Sequence, residues 1–410
     1  MLRFLSDQFL VLSLALRNLH RQLRRSSLVM ATVAAGCAAL FLFDGFNVGI
    51  MNQYRANTIR SRYGHGQVNN KNYRDKVFEK PWEHWLDQSE VLISHIKAAD
   101  GVSYVFPRVE FYSLLSKGNI TLSGKGQGVD GPEESKFFTT LNIVEGETLS
   151  SQSNGILLGI GLARSLDAKP GDRITLLVNT TKGSMNGADH IVTGIFHTGS
   201  KDFDDVAFRI PLASAHSLLD TDKLESVSVG LDEREDWDSF ARYMAKVEPT
   251  LEVWSFAELD KVYYQNAVDW LGSQFRVIKM IILFIVVLGI FSTVSAAVLE
   301  RKQEVGNMRA NGESRGQVMQ LLLTEAGFLG FLGAVFGVVT VLILNSTLLS
   351  KGILMPPSPG LTRQFYVLIE LQAKSGMEVL LLGFLCSIVG SFFAAIKVVR
   401  MPIAEALRSI

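Results

Sequence analysis

Apolar residues in this chain gather into four runs, at 28–51, 277–299, 321–349 and 377–399. Each has the ~20 residues that a helix needs to cross a hydrocarbon core about 30 Å thick. Between the first two runs lie residues 52–276, where polar and apolar positions mix at both helical and strand periods. That length is enough for a domain with a core of its own. The plan is one span, a large insert, and three more spans.

Within the insert, 89–99 has helical periodicity, while 102–115 and 119–123 alternate as strands do. Glycines between 118 and 131 read as turns. Residues 156–166 read as a helix, and Lys169-Pro170-Gly171-Asp172 as a turn before a strand at 173–178. Further strands are expected at 191–196 and 206–210, and an amphipathic helix at 236–247. From Phe256 a helical pattern runs on to the second span, interrupted only by Gly272. That continuity predicts a stalk leading from the insert into the membrane.

Charge gives the orientation, because short loops rich in Lys and Arg stay in the cytoplasm. Residues 1–27 carry Arg3, Arg17, Arg21, Arg24 and Arg25 against Asp7 alone. The 300–320 segment carries Arg301, Lys302, Arg309 and Arg315, and the 400–410 tail adds Arg400 and Arg408. Both termini and 300–320 are therefore expected in the cytosol, with the 52–276 insert and the 350–376 loop outside. The expected fold is an α-helical membrane protein with four transmembrane helices and a large α+β periplasmic domain inserted between helices 1 and 2. A whole-chain net charge of zero hides an acidic insert, with 31 acidic against 23 basic residues in 51–275. Nucleic acid is excluded as a partner for such a surface. Cys37 and Cys386 both fall inside spans, so the insert folds without a disulfide.

Ahead of the first span, Leu2, Leu5, Phe9, Leu12, Leu16, Leu19 and Leu23 repeat at steps of three and four. With Arg17, Arg21 and Arg24 nearby, this stripe predicts an amphipathic helix over 1–27 in the cytosolic membrane interface. Ala35-Gly36-Cys37 looks like a lipoprotein cleavage site. The apolar run continues well past Cys37, however, which favours an uncleaved anchor.

Two carboxylates sit where water is scarce, Asp44 near the outer end of the first span and Glu325 inside the third. Each must face protein or a polar interface, with snorkelling at a helix end as the plainer alternative. Gly327, Gly330, Gly333 and Gly337 share one helical face and permit close packing. Two catalytic patterns are missing: there is no G-x-x-x-x-G-K-[ST] loop and no H-E-x-x-H. His190 and His197 read as a strand-surface pair rather than a metal site. No catalytic residue, metal or bound cofactor is assigned, and the chain is not expected to hydrolyse ATP.

The stretch from Glu300 to Val339, ERKQEVGNMRANGESRGQVMQLLLTEAGFLGFLGAVFGVV, joins two spans through a short charged segment with helix-breaking glycines at 306, 312 and 316. It resembles the signature after the second span in FtsX-like permeases, the membrane subunits of ABC systems of the LolC, LolE and MacB type. Gly64-His65-Gly66-Gln67-Val68 is similar to an element just after the family's first span. The segments from Gly159 to Leu166, Val192 to Gly199 and Pro402 to Arg408 are similar to family segments in the same order. Ala310-Asn311-Gly312 departs from the family's usual Ala-Leu-Gly, which leaves the subfamily open.

The resemblance implies a non-catalytic permease in the bacterial inner membrane, multi-pass, with both termini cytosolic. A dimer of separate ATPase subunits would bind ATP and Mg and drive the periplasmic domain by levers. Glu300, Arg301, Glu304, Gly306, Arg309 and Gly312 would form the coupling element; the plainer reading of 300–320 is a solvated loop that only sets topology. A second permease, identical or paralogous, and a periplasmic acceptor or adaptor complete the expected partners, beside the lipid bilayer. The leading function is lipoprotein release, with Phe43, Phe46, Val277 and Ile281 lining an apolar refuge between permeases. Efflux of a peptide, antibiotic or other amphiphile, and non-transporting regulation of a periplasmic hydrolase, stay open as alternatives.

Overall fold

The computed structural model describes residues 23–76, 80–87, 90–139, 141–150, 154–232, 237–261, 266–356 and 364–408. Apart from residues 23–27, the expected interfacial helix lies outside the described residues. The chain divides into two compact units. One comprises Met1–Asn52, Asp269–Leu354 and Tyr366–Ile410, and the other Gln53–Val268 and Met355–Phe365.

Among the described residues four long helices, Leu23–Thr58, Asn266–Leu299, Arg315–Thr347 and Ala373–Arg400, coincide with the four apolar runs, the third ending two residues before its run does. The shortest has 28 residues and so covers about 42 Å, more than the hydrocarbon core requires. Small residues let the helices approach closely in the first unit. A Cβ on Gly333 would lie 3.0 Å from the Met30 carbonyl oxygen, and one on Gly337 would lie 2.5 Å from that of Ala34. Gly330 meets Ser387 of the fourth helix in the same way, at 2.4 Å. The shared glycine face thus packs on the fourth helix at one level and on the first helix at the next.

The 300–320 segment differs from a plain loop. Lys302–Ala310 forms a helix, and the third long helix begins at Arg315 behind a capping box between Ser314 and Gln317. Gly306 and Gly316 lie inside these helices. Only Gly312, at φ +96, breaks the chain direction.

Among its described residues the insert has ten strands: β1 Gly66–Asn70, β2 Val102–Lys117, β3 Ile120–Val129, β4 Asn142–Gly146, β5 Gly155–Gly159, β6 Arg173–Asn179, β7 Met185–His197, β8 Ala207–Pro211, β9 Ser226–Leu231 and β10 Leu251–Ser255. Ladders β2-β3-β8-β5-β7-β6 return to β2, closing a ring of six strands. Leu115, Ile156, Leu158, Ile174, Leu176 and Phe208 fill the core with no exposed surface. The antiparallel set β10-β1-β9 continues from the other side of β2. Helices Glu90–Lys97 and Trp237–Val247 bury Ile96, Phe240 and Met244 in the same core.

Three expectations fail here for identifiable reasons. Gly124, Gly126 and Gly128 are strand residues of β3, not turns. A Cβ on Gly126 would meet the Phe208 and Phe111 rings at 2.5 and 2.7 Å, so glycine makes room for aromatic packing. Residues 155–159 are a strand and the helix starts only at Ile160, because a short all-apolar run buried on both faces has no period to read. His190 and His197 do not form a surface pair. His190 is buried, and His197 reaches Asp204 at 3.6 Å.

Candidate functional site

The helix Lys302–Ala310 is held from several sides by its own chain. Val305 packs with Val318, Leu322 and Val398 in a buried cluster. Gly306 faces the C-terminal helix Ile403–Arg408, where a Cβ would lie 3.0 Å from the Ala406 methyl. Arg309 Nη1 donates to the carbonyl oxygens of Val399 and Met401, both at 2.8 Å. These carbonyls end the fourth long helix, whose negative dipole end the guanidinium complements. Arg301 Nε donates to Glu304 Oε2 at 2.7 Å, and its Nη1 pairs with Glu325.

Glu325 stands about 15 Å along the third helix from Arg315 and is only 5% exposed. An ionised carboxylate at such a place requires a partner, and Arg301 supplies it. Burial pulls the Arg301 guanidinium towards neutrality, but Glu325 and Glu304 outweigh that and raise its pKa above the ordinary value. The pair ties the start of the inter-span segment to the third helix.

Of the six residues read as a coupling element, Arg301, Glu304, Gly306 and Arg309 thus make contacts within this chain. Glu300 and Gly312 are exposed. The outward face carries Gln303, Asn307, Ala310, Asn311 and Glu313, none of which sequence reasoning assigned to the coupling element. The spacing 303, 307, 310 was the available signal, since it lines one face of a helix. It was hidden by the assumption that three glycines kept the segment irregular.

A second polar group lies at the other end of the same unit. Asp44 Oδ1 accepts from Lys279 Nζ at 2.7 Å, and Oδ2 from the Ser375 hydroxyl. First, second and fourth long helices meet there. Lys279 was the missed partner, although a lone lysine in an apolar run is itself a call for a counter-ion. Phe43 lies beside the pair, its ring 6.3 Å from that of Phe275 and edge-on to it. Phe46 is half-buried. Val277 and Ile281 are 52% and 55% exposed, on a face of the second helix shared with Phe284 and Leu288.

Four membrane-length helices with a barrel-containing domain inserted after the first define a multi-pass membrane protein that carries a large extramembrane body. The model of the FtsX-like permease C-terminal domain matches residues 276–403, and that of the MacB-like periplasmic core domain matches 26–247. The chain belongs to the FtsX-like permease family of ABC transporters, with a MacB-like periplasmic domain. It is similar to the lipoprotein-releasing system transmembrane protein LolE of Haemophilus influenzae, with 25% identity over 66% of each chain. It is 23% identical to LolC of Neisseria meningitidis serogroup B, over 60% of this chain and 61% of that one. It is 26% identical to the macrolide export ATP-binding/permease protein MacB of Sodalis glossinidius, over 81% of this chain and 52% of MacB. In each case the match spans just under two thirds of the relative's length, or less.

Proposed function

We propose that this chain is the permease subunit of a complex that releases lipoproteins from the inner membrane, driven by ATP hydrolysis on a separate subunit. The observation that carries the reading is the similarity to LolE and LolC over 66% and 60% of this chain. The 410 residues hold no phosphate-binding loop, so in this reading ATP hydrolysis falls outside them. Efflux of an amphiphile is the second reading, favoured by the MacB match over most of this chain.

In this reading the helix Lys302–Ala310 receives the ATPase through its exposed face, while Arg301, Gly306 and Arg309 brace it from behind. Asn307→Arg should therefore lower substrate-stimulated ATP hydrolysis of the assembled complex without changing membrane insertion. Unchanged stimulation would leave the segment with a topological role only. Glu304→Lys tests the brace instead, because it also breaks the pair with Arg301.

Orientation is tested separately. In a background lacking Cys37 and Cys386, a cysteine at Asn186 should react with an impermeant thiol reagent in intact spheroplasts, and one at Gly312 should not. Reversed labelling would put the insert in the cytosol and end the proposal.

A further inference from the structure

The first long helix ends in a π-helical turn, Ile59–Tyr63, closed by the Gly64 N–H on the Ile59 carbonyl at 3.0 Å. Like any helix end, it leaves its last carbonyls without helical partners. Two of these, on Ser61 and Arg62, are met by buried arginines. Arg108 Nη1 of β2 donates to the Arg62 oxygen, and Arg209 Nη2 of β8 reaches the Ser61 oxygen at 3.5 Å. Glu134, from the helix Gly131–Phe137, holds both arginines, with Arg108 Nε on Oε1 at 2.5 Å and Arg209 Nη1 on Oε2 at 3.0 Å. Phe138 covers the group, its ring centroid 4.4 Å from the Arg108 guanidinium carbon and 5.9 Å from that of Arg209. Arg108, Glu134 and Arg209 are each at most 2% exposed.

Such a triad is a poor device for stability alone. It buries two positive charges against one negative, and apolar residues of similar volume often replace a buried Arg–Glu–Arg group without loss. Burial pulls Arg209 down to about 10 against the opposing pull of Glu134, a sign that it is held at some cost. What apolar replacements would lose is the grip on the helix end, where two fixed cations also face the negative end of a long helix dipole. Next to the grip, Gly64 takes φ +72 with a would-be Cβ 2.7 Å from the Val229 carbonyl oxygen, and His65 Nδ1 accepts from Leu231 N–H at 2.9 Å. The Gly64-His65-Gly66-Gln67-Val68 element is therefore the seam by which the helix passes directly into β1.

We propose that Arg108, Glu134 and Arg209 are positioning residues of a mechanical joint, locking the end of the first long helix to the sheet so that displacement of the helix moves the domain. The proposal rests on the ATP-driven reading above. Its test uses the full complex in nanodiscs, with spin labels at Lys182→Cys and Glu405→Cys in a chain lacking Cys37 and Cys386. The triple variant Arg108→Met, Glu134→Leu, Arg209→Met removes the grip while keeping the volume, and Arg209→Lys serves as a milder version should the triple fail to fold. Wild type should show an ATP-dependent shift in label distance. In the variants that shift should vanish or broaden and release of acylated protein fall by about tenfold, with ATP hydrolysis within about twofold of wild type. Folded variants that move and release as wild type does would overturn the joint. Absence of any ATP-dependent shift in wild type would instead overturn the proposed function, and the joint with it.

Discussion

Arg301→Ala should destabilise the helical unit by about 3–5 kcal/mol, the cost of stranding one member of a buried ion pair. Removing the guanidinium leaves Glu325 inside the third helix with its principal cation gone, at a position 5% exposed. The carboxylate must then take up a proton or draw in water, and both loosen the packing of Val305 against Val318 and Val398. Arg301→Met combined with Glu325→Leu should recover most of the loss, because two apolar side chains leave no charge behind. Lys182→Ala, which breaks an exposed pair with Asp220, provides the reference and should cost no more than about 1 kcal/mol. Thermal unfolding in detergent micelles measures all three. If Arg301→Ala behaves like Lys182→Ala, the pair contributes nothing to the fold.

The second large effect belongs to the glycine face. Gly337→Leu should cost about 3 kcal/mol, the upper part of the range for overpacking, because the new side chain would start 2.5 Å from the Ala34 carbonyl oxygen. That neighbour is backbone of the first long helix and has no rotamer to change. The helices must separate, and Val33 and Cys37, both without exposed surface, would lose their packing against the third and fourth helices. Gly289→Leu, in the second helix with nothing within 4 Å of its Cβ, is the matched control and should be tolerated. Equal unfolding midpoints for the two variants would show that the close approach carries no energy.

How far the sequence shows these features depends on the range of the interaction behind them. The spans are legible because a bilayer imposes a length on each apolar run, independent of any partner. The helices Glu90–Lys97 and Trp237–Val247 are legible through their period. The six-strand ring is not: it depends on β6 pairing with both β2 and β7, and no local pattern states which strands meet. Glycine misled twice. Gly126 was read as a turn although its role is contact with Phe208, and Gly306 as a breaker although its role is contact with Ala406. Both are non-local reasons for a missing side chain. Asp44 and Glu325 were legible as residues in need of partners, but Lys279 and Arg301 emerge as those partners only in three dimensions. The arginine triad gave no sign at all, since Arg108, Glu134 and Arg209 sit in ordinary strand and helix sequence.

The central claim is that the complex extracts acylated protein from a membrane on ATP hydrolysis. Acyl chains do not enter water unaided, since each exposed CH₂ costs about 0.8 kcal/mol, so a lipoprotein-releasing complex must hold its cargo in an apolar refuge before release. Val277 and Ile281, exposed on the second helix, are the residues proposed to meet such cargo. The direct measurement is intact mass spectrometry of the complex purified without nucleotide, repeated after ATP is added with and without a periplasmic acceptor. The account predicts that acylated protein copurifies and leaves only when ATP and acceptor are both present. Recovery of no acylated protein, together with ATP hydrolysis stimulated by a soluble peptide or drug, would contradict it and select efflux.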